Sequence, residues 1–205
     1  LPRNESIANG RSKCPHCHKE IKWYDNIPLF SFLALQGKCR SCNHKISIRY
    51  PLIELGTGIT FLLVYLLRSQ ITVTFLSWPM ALVFVFIFIV IFIIDWEHQI
   101  IPDELVFVSF GLLVAVMLLT DYDKIFIHIF AGFASSLFLL LINLGTRGRG
   151  MGLGDVKLAI VMGALLGTLS IYWLFLSFII GGIVGLLLII AGKAKMADQI
   201  AFGPF

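Results

Sequence analysis

Long apolar runs dominate this chain, and one of them, FVFIFIVIFII, ends at Ile94 directly against an acid, Asp95. A bilayer core of ~30 Å takes about 20 apolar residues in helix. Six segments approach that need: roughly 51–67, 72–94, 104–120, 125–144, 155–168 and 170–192. The third and fifth are short. Composition agrees with a membrane reading. The 205 residues are 58% apolar and only 14% charged, with a mean hydropathy of +0.91. Soluble domains carry about a quarter charged residues, so this chain lacks the charge to coat a soluble surface. The expectation is an all-α polytopic membrane protein with about six transmembrane helices.

The charges are uneven. Nine of the 16 Lys and Arg residues fall within positions 1–50, together with all four cysteines. Two domains follow: a small basic cysteine module at 1–50 and a hydrophobic domain at 51–205. No basic stripe interleaved with aromatics lies outside the module, so the pI near 9.0 reads as a topology signal rather than a nucleic-acid one. With the module placed in the cytoplasm, the loops on its side add Arg147, Arg149, Lys193 and Lys195, for 13 basic residues. The opposite turns hold Arg68 and Lys124. The positive-inside bias then orients the chain and predicts that Asp95 and Asp155 share the cytoplasmic face.

A carboxylate at membrane depth is a functional candidate by default. Asp95 closes a long apolar run with no Lys or Arg near it in sequence. Asp155 follows four glycines within residues 148–154, which permit sharp bends and close backbone approach. Alone, Asp155 could simply cap a helix. Two carboxylates on one membrane face suggest an acid/base pair, because neighbours of like charge resist ionising together. One would activate water and the other would protonate a carbonyl. Asp103, beside Glu104 after Pro102, reads equally as a helix-start acid that caps α-helix N–H groups and complements the dipole, or as a residue with a part in the chemistry. Glu97 and His98 read as interfacial, and His128 as packed within a span or interfacial. Glu54 is a third candidate, able to pair with Arg49 or a module lysine, or to meet a substrate amine. No Ser/His/Asp order or HExxH motif competes.

Cys14-Pro15-His16-Cys17 and Cys39-Arg40-Ser41-Cys42 are CxxC knuckles separated by 21 residues. Two knuckles can complete a tetrahedral zinc site from Cys14, Cys17, Cys39 and Cys42. Four thiolates leave no open position, so the predicted Zn2+ is structural and supplies folding free energy to a module with little core. His16, His18 and His44 are alternative ligands or solvated loop residues.

The segments CPHCHKEIKWYDNIPLFSFLALQGKCRSCNHKISIRYPLIEL, IDWEHQIIPDEL, GMGLGDVKL and AFGPF, in that order, resemble the type IV prepilin peptidases, which are GxGD intramembrane aspartyl proteases. The resemblance covers nearly the whole chain. It implies that Asp95 and Asp155 are the catalytic dyad. It implies cleavage of the short basic leader of prepilin or pseudopilin substrates at the cytoplasmic face of the bacterial inner membrane. It also implies N-methylation of the new terminus with S-adenosylmethionine, an activity that accompanies the four-cysteine module in this family. The methyl-donor site is not legible in the sequence. The family usually adds a transmembrane helix before the LPR-like start and another after the FGPF-like end. The beginning at Leu1 and the loop-like Phe202–Phe205 read as a chain with its ends removed.

Two other readings stay open at this point. A peptidase without methyl transfer would fit the acids but not the cysteine module. A transporter or metal-sensing membrane protein would suit acids spread through the bilayer better than acids gathered at one face. Membrane lipid is an expected partner, with the basic module at anionic headgroups, and nucleic acid is not. A further expectation is that the module, with Glu54, holds the newly freed amine for methyl transfer.

Overall fold

The computed structural model describes residues 12–27, 29–70, 76–148 and 150–191. Arg3, Arg11, Arg149, Lys193, Lys195, the beginning of the predicted 72–94 span and the closing Phe202–Phe205 lie outside them. The described residues form helices and turns, with two isolated antiparallel bridges and no strand. The helices are α1 (Phe30–Ala34), α2 (Arg49–Leu66), α3 (Trp78–His98), α4 (Asp103–Thr120), α5 (Ile125–Gly145), α6 (Leu153–Leu166) and α7 (Ser170–Ile190). The chain divides into two compact units, Leu1–Leu63 and Val64–Phe205.

Each of the six predicted segments falls on a helix. Among the described residues, four stretches are long and apolar enough to cross a membrane: Trp78–His98, Asp103–Thr120, Tyr122–Gly145 and Leu153–Leu187. The protein is thus a multi-pass helical membrane protein. The helix at 51–67 is not among the four, since Arg49, Glu54 and its Gly and Thr residues dilute its hydropathy. The stretch Leu153–Leu187 is broken at Gly167, where the backbone turns with φ +57°. Trp173, Leu174 and Phe178 of α7 pack against the cluster that contains Val156 and Ala159 of α6. A straight helix would carry Trp173 about 21 Å beyond Ala159, so the chain reverses there, as the separate predicted segments require.

Helix α3 shows how the second unit is assembled. Ser77 precedes it and Pro79 lies in its first turn, where a missing N–H costs least. Ala81, Phe84, Ile87, Ile91 and Asp95 are its buried residues, spaced by three and four, so they form one stripe. Asp95 therefore lies at the C-terminal end of the apolar ridge of its own helix. The helix stops at Gln99, whose left-handed conformation (φ +53°) lets its N–H reach the Asp95 carbonyl at 2.8 Å.

Helix α6 is the centre of this unit. It contributes Ala164 and Leu165 to a core with Phe84, Leu113, Met117 and Ile125. It contributes Leu158 and Val161 to a second core with Ile87, Ile91, Ile101 and Val106. Val156 and Ala159 complete a third with Leu139 and Met151. At 14 residues it is about 21 Å long, shorter than a bilayer core, and its neighbours surround it. Helix α5 approaches it most closely. A Cβ on Gly132 would lie 2.5 Å from the Ile160 carbonyl oxygen, and one on Gly163 would lie 2.8 Å from the Ala131 oxygen. Small residues permit such backbone contact in membranes, where dispersion must replace the hydrophobic effect between helices.

Candidate active site and thiol cluster

The α3–α4 turn and the start of α6 come together at one end of the second unit. Ile101 in that turn is buried. A Cβ on Gly154 would lie 3.2 Å from the Cβ and Cγ1 of Ile101. The last glycine before Asp155 is therefore the residue that lets the first turn of α6 press against the chain following Asp95. Asp95 is 5% exposed. Asp155 is partly buried in the first turn of α6, and the charge of Asp95 bears on it. Its Oδ2 accepts the N–H of Gly152 at 3.3 Å. The two acids that the sequence singles out thus lie at the same end of the unit, close enough for the charge of one to bear on the other, although 60 positions separate them.

The glycine loop itself is a folded turn. Gly148 donates its N–H to the Asn143 carbonyl at 2.7 Å, with Arg147 (φ +52°) and Gly148 (φ +76°) left-handed. Gly150 donates to Thr146 Oγ1 at 3.0 Å. Asn143, buried in the last turns of α5, donates from Nδ2 to the Met151 carbonyl at 2.6 Å. Sequence reasoning missed Asn143. Its signal was a lone amide in an apolar helix.

Other candidates fall elsewhere. Asp103 does not cap α4: Pro102 occupies that position and Asp103 is the first helical residue. Its Oδ1 instead accepts from Lys157 Nζ at 2.7 Å, an ion pair joining the starts of α4 and α6. The acid-in-first-turn reading remains consistent with the helix dipole. Glu97 and His98 are exposed beyond Asp95. His128 packs inside the bundle, with Nδ1 2.7 Å from the Ala164 oxygen and its ring over Gly167. Glu54 accepts the N–H of Leu29 at 3.1 Å, steadying a residue at φ +61° within the first unit.

In the first unit, the two knuckles are built alike at an offset of 25 residues. KCPHCHKEI begins at Lys13 and KCRSCNHKI at Lys38. Cys14 donates its N–H to the Lys19 carbonyl at 3.0 Å, and Cys39 to that of His44 at 2.9 Å. The return bonds, His18 to Cys14 and Asn43 to Cys39, are both 2.9 Å. His18 and Asn43 are both at φ +55°. The repeat was readable in the sequence but is weak across nine residues. It brings the sulfurs of Cys14, Cys17, Cys39 and Cys42 within 4.8 Å of one another, with Cys14 and Cys42 4.0 Å apart. A tetrahedron with metal–sulfur bonds of about 2.3 Å has edges of about 3.8 Å, so the four sulfurs could hold a metal ion. Backbone N–H groups of Cys17 and His16 draw the Cys14 thiol down to about 6. The His44 amide pulls Cys42 in the same direction, but desolvation and the neighbouring sulfurs outweigh it and hold that thiol at about 11. Thiolates this close repel one another, and a cation between them would relieve that repulsion. The His16 and His44 rings stack at 4.2 Å beside the cluster, which is composed of cysteines alone. Arg40 grips Asp25 through Nε at 2.9 Å and a terminal nitrogen at 2.7 Å, tying the second knuckle to residues 23–26. That hydrogen-bonded guanidinium holds the Asp25 carboxyl below the usual carboxylate range.

A membrane bundle that gathers two acids at one end, with a small four-thiol module, defines a class of membrane protein with a paired-carboxyl centre. The chain belongs to the Type IV leader peptidase family, which residues 82–186 match. Residues 1–68 match the Bacterial Peptidase A24 N-terminal domain. Among relatives called prepilin leader peptidase/N-methyltransferase, that of Bacillus subtilis (strain 168) is 32% identical over 205 residues, covering 100% of this chain and 81% of the relative. The Stutzerimonas stutzeri protein is 34% identical, covering 95% and 68%. The Legionella pneumophila protein is 36% identical, again covering 95% and 68%. No solved structure matches the chain.

Proposed function

We propose that this protein is a membrane aspartyl endopeptidase that removes the leader of type IV prepilin-like or pseudopilin substrates and then N-methylates the new terminus. The observation that carries the reading is the meeting of Asp95 and Asp155 at one end of the bundle in a chain of this family. A pair of carboxyl groups at this proximity holds one proton more readily than two bare charges. The ionised member takes a proton from water, whose oxygen attacks the scissile carbonyl. The protonated member donates to the carbonyl oxygen. Collapse of the tetrahedral intermediate breaks the C–N bond, and the departing amine takes up a proton. The apolar walls around Asp95 keep bulk water out of the pair and strengthen its electrostatics.

The four cysteines hold zinc in this proposal. Their mutual distances suit a closed tetrahedral site, so the ion folds the module and takes no part in the chemistry. S-adenosylmethionine supplies the methyl group, and no residue of the chain is assigned to it. Methyl transfer follows cleavage because only cleavage creates the amine. The 1–50 module and the 51–205 peptidase domain divide the chain in this reading, with the module and the dyad on the cytoplasmic side of a bacterial inner membrane and lipid around the helices.

The test is mass spectrometry of a co-expressed prepilin, reading leader loss and N-terminal methylation together. Asp95→Asn and Asp155→Asn should each abolish cleavage while the protein stays folded. Substantial leader removal by either variant rejects the dyad.

A further inference from the structure

Asn143 is 8% exposed, on a membrane-embedded helix, and neither its charge nor its place in the chain gives it a part in the dyad. Buried polar groups are nearly always held by a hydrogen-bond partner. Its side chain makes one bond out of its own helix, from Nδ2 to the Met151 carbonyl at 2.6 Å. Met151 is itself buried, packed with Leu139, Val156 and Ala159. The Asn143 backbone carbonyl accepts from Gly148 at 2.7 Å. One residue of α5 thus closes the glycine loop at both ends: its carbonyl fixes where the loop leaves the helix, and its amide fixes where the loop returns. Thr146 adds an outer tie to the Gly150 N–H at 3.0 Å. One residue after Met151, Gly152 takes its place before α6 and gives its N–H to Asp155.

We infer that Asn143 is a positioning residue for Asp155, a latch from α5 that sets where the first turn of α6 begins and thereby the placement of Asp155 against Asp95. The inference rests on the peptidase reading above. Without the amide, the Met151 carbonyl loses its buried partner and the loop between two left-handed residues and Gly152 can relax. A displacement of the reacting group of about 1 Å can cost about 100-fold in rate. The latch acts through the placement of Asp155, so its loss is expected in kcat rather than in KM.

Asn143→Leu keeps the size and removes the donor. Purified in detergent and assayed on a leader-bearing peptide well below its thermal midpoint, it should lower kcat by about 10–100-fold with KM nearly unchanged. Thr146→Val removes the tie to Gly150 together with the hydroxyl's bonds to the Ile142 and Asn143 carbonyls of its own helix end, leaves the Asn143 amide in place, and should lower kcat in the same direction by less. Ser109→Ala removes a fully buried hydroxyl that bonds its own helix at the Leu105 carbonyl, and should leave kcat unchanged. Wild-type kcat for Asn143→Leu, or a loss carried by KM alone, overturns the latch. If Asn143→Leu fails to fold, Thr146→Val decides, and an unchanged kcat overturns it. Asp95→Asn is run alongside. A dead Asp95→Asn with a fully active Asn143→Leu removes the latch alone, whereas an active Asp95→Asn removes the peptidase reading and the latch together.

Discussion

Replacing Gly163 with alanine should separate the packing of α5 on α6 from helix propensity. The added Cβ would lie 2.8 Å from the Ala131 oxygen, the Gly132 Cα and the Ser135 Oγ. Two of these atoms are backbone, so no rotamer change relieves the contact and the helices must move apart. Overpacking of a close contact costs about 1–3 kcal/mol. Alanine also restricts the unfolded chain and favours helix by about 0.5–1 kcal/mol over glycine. Gly111→Ala in α4 is the control, because a Cβ there meets nothing within 4 Å. The propensity gain is common to both and cancels. The difference between the two variants is then the overpacking cost, about 1–3 kcal/mol. Reversible unfolding in mixed micelles, followed by far-UV circular dichroism, measures it. The same displacement carries the start of α6 with it, so Gly163→Ala should also lose leader cleavage while Gly111→Ala retains it. Equal stability of the two variants would refute the reasoning that backbone approach, rather than side-chain packing, seats α6.

The remaining expectations concern the thiol cluster and the ion pair. Protein purified without chelator should contain one zinc per chain, and Cys14→Ser or Cys42→Ser should lose it; metal-free protein with four reduced thiols and an intact module would overturn the site. Asp103→Lys or Lys157→Asp alone should lower the thermal midpoint modestly, since the pair is half-exposed (52% and 47%) and such pairs contribute about 0.2–1 kcal/mol. The double swap should recover most of the loss at low salt, and no recovery would show that Asp103 and Lys157 act separately.

The linear chain determined which stretches are helical and apolar, because hydropathy and period are local properties. It also determined which acids are out of place, because a carboxylate closing the run that ends at Ile94 is costly wherever that helix goes. The two CxxC knuckles declared a thiol site for the same reason: ligand spacing is local. The tertiary structure decided the partners. Asp103 looked like a cap, but its carboxylate reaches Lys157, 54 positions away. Glu54 also holds the Leu29 amide, 25 positions away, a bond its sequence neighbours do not announce. Asn143 carried no readable role, because an amide's value depends on which buried carbonyl it meets. Gly154 read as flexibility before Asp155, whereas packing makes it the space that Ile101 fills. Pairing, close approach and burial depend on which helix lies opposite, and α6 sits at the centre because α5 and its own glycines allow two backbones to touch there, which no residue announces on its own.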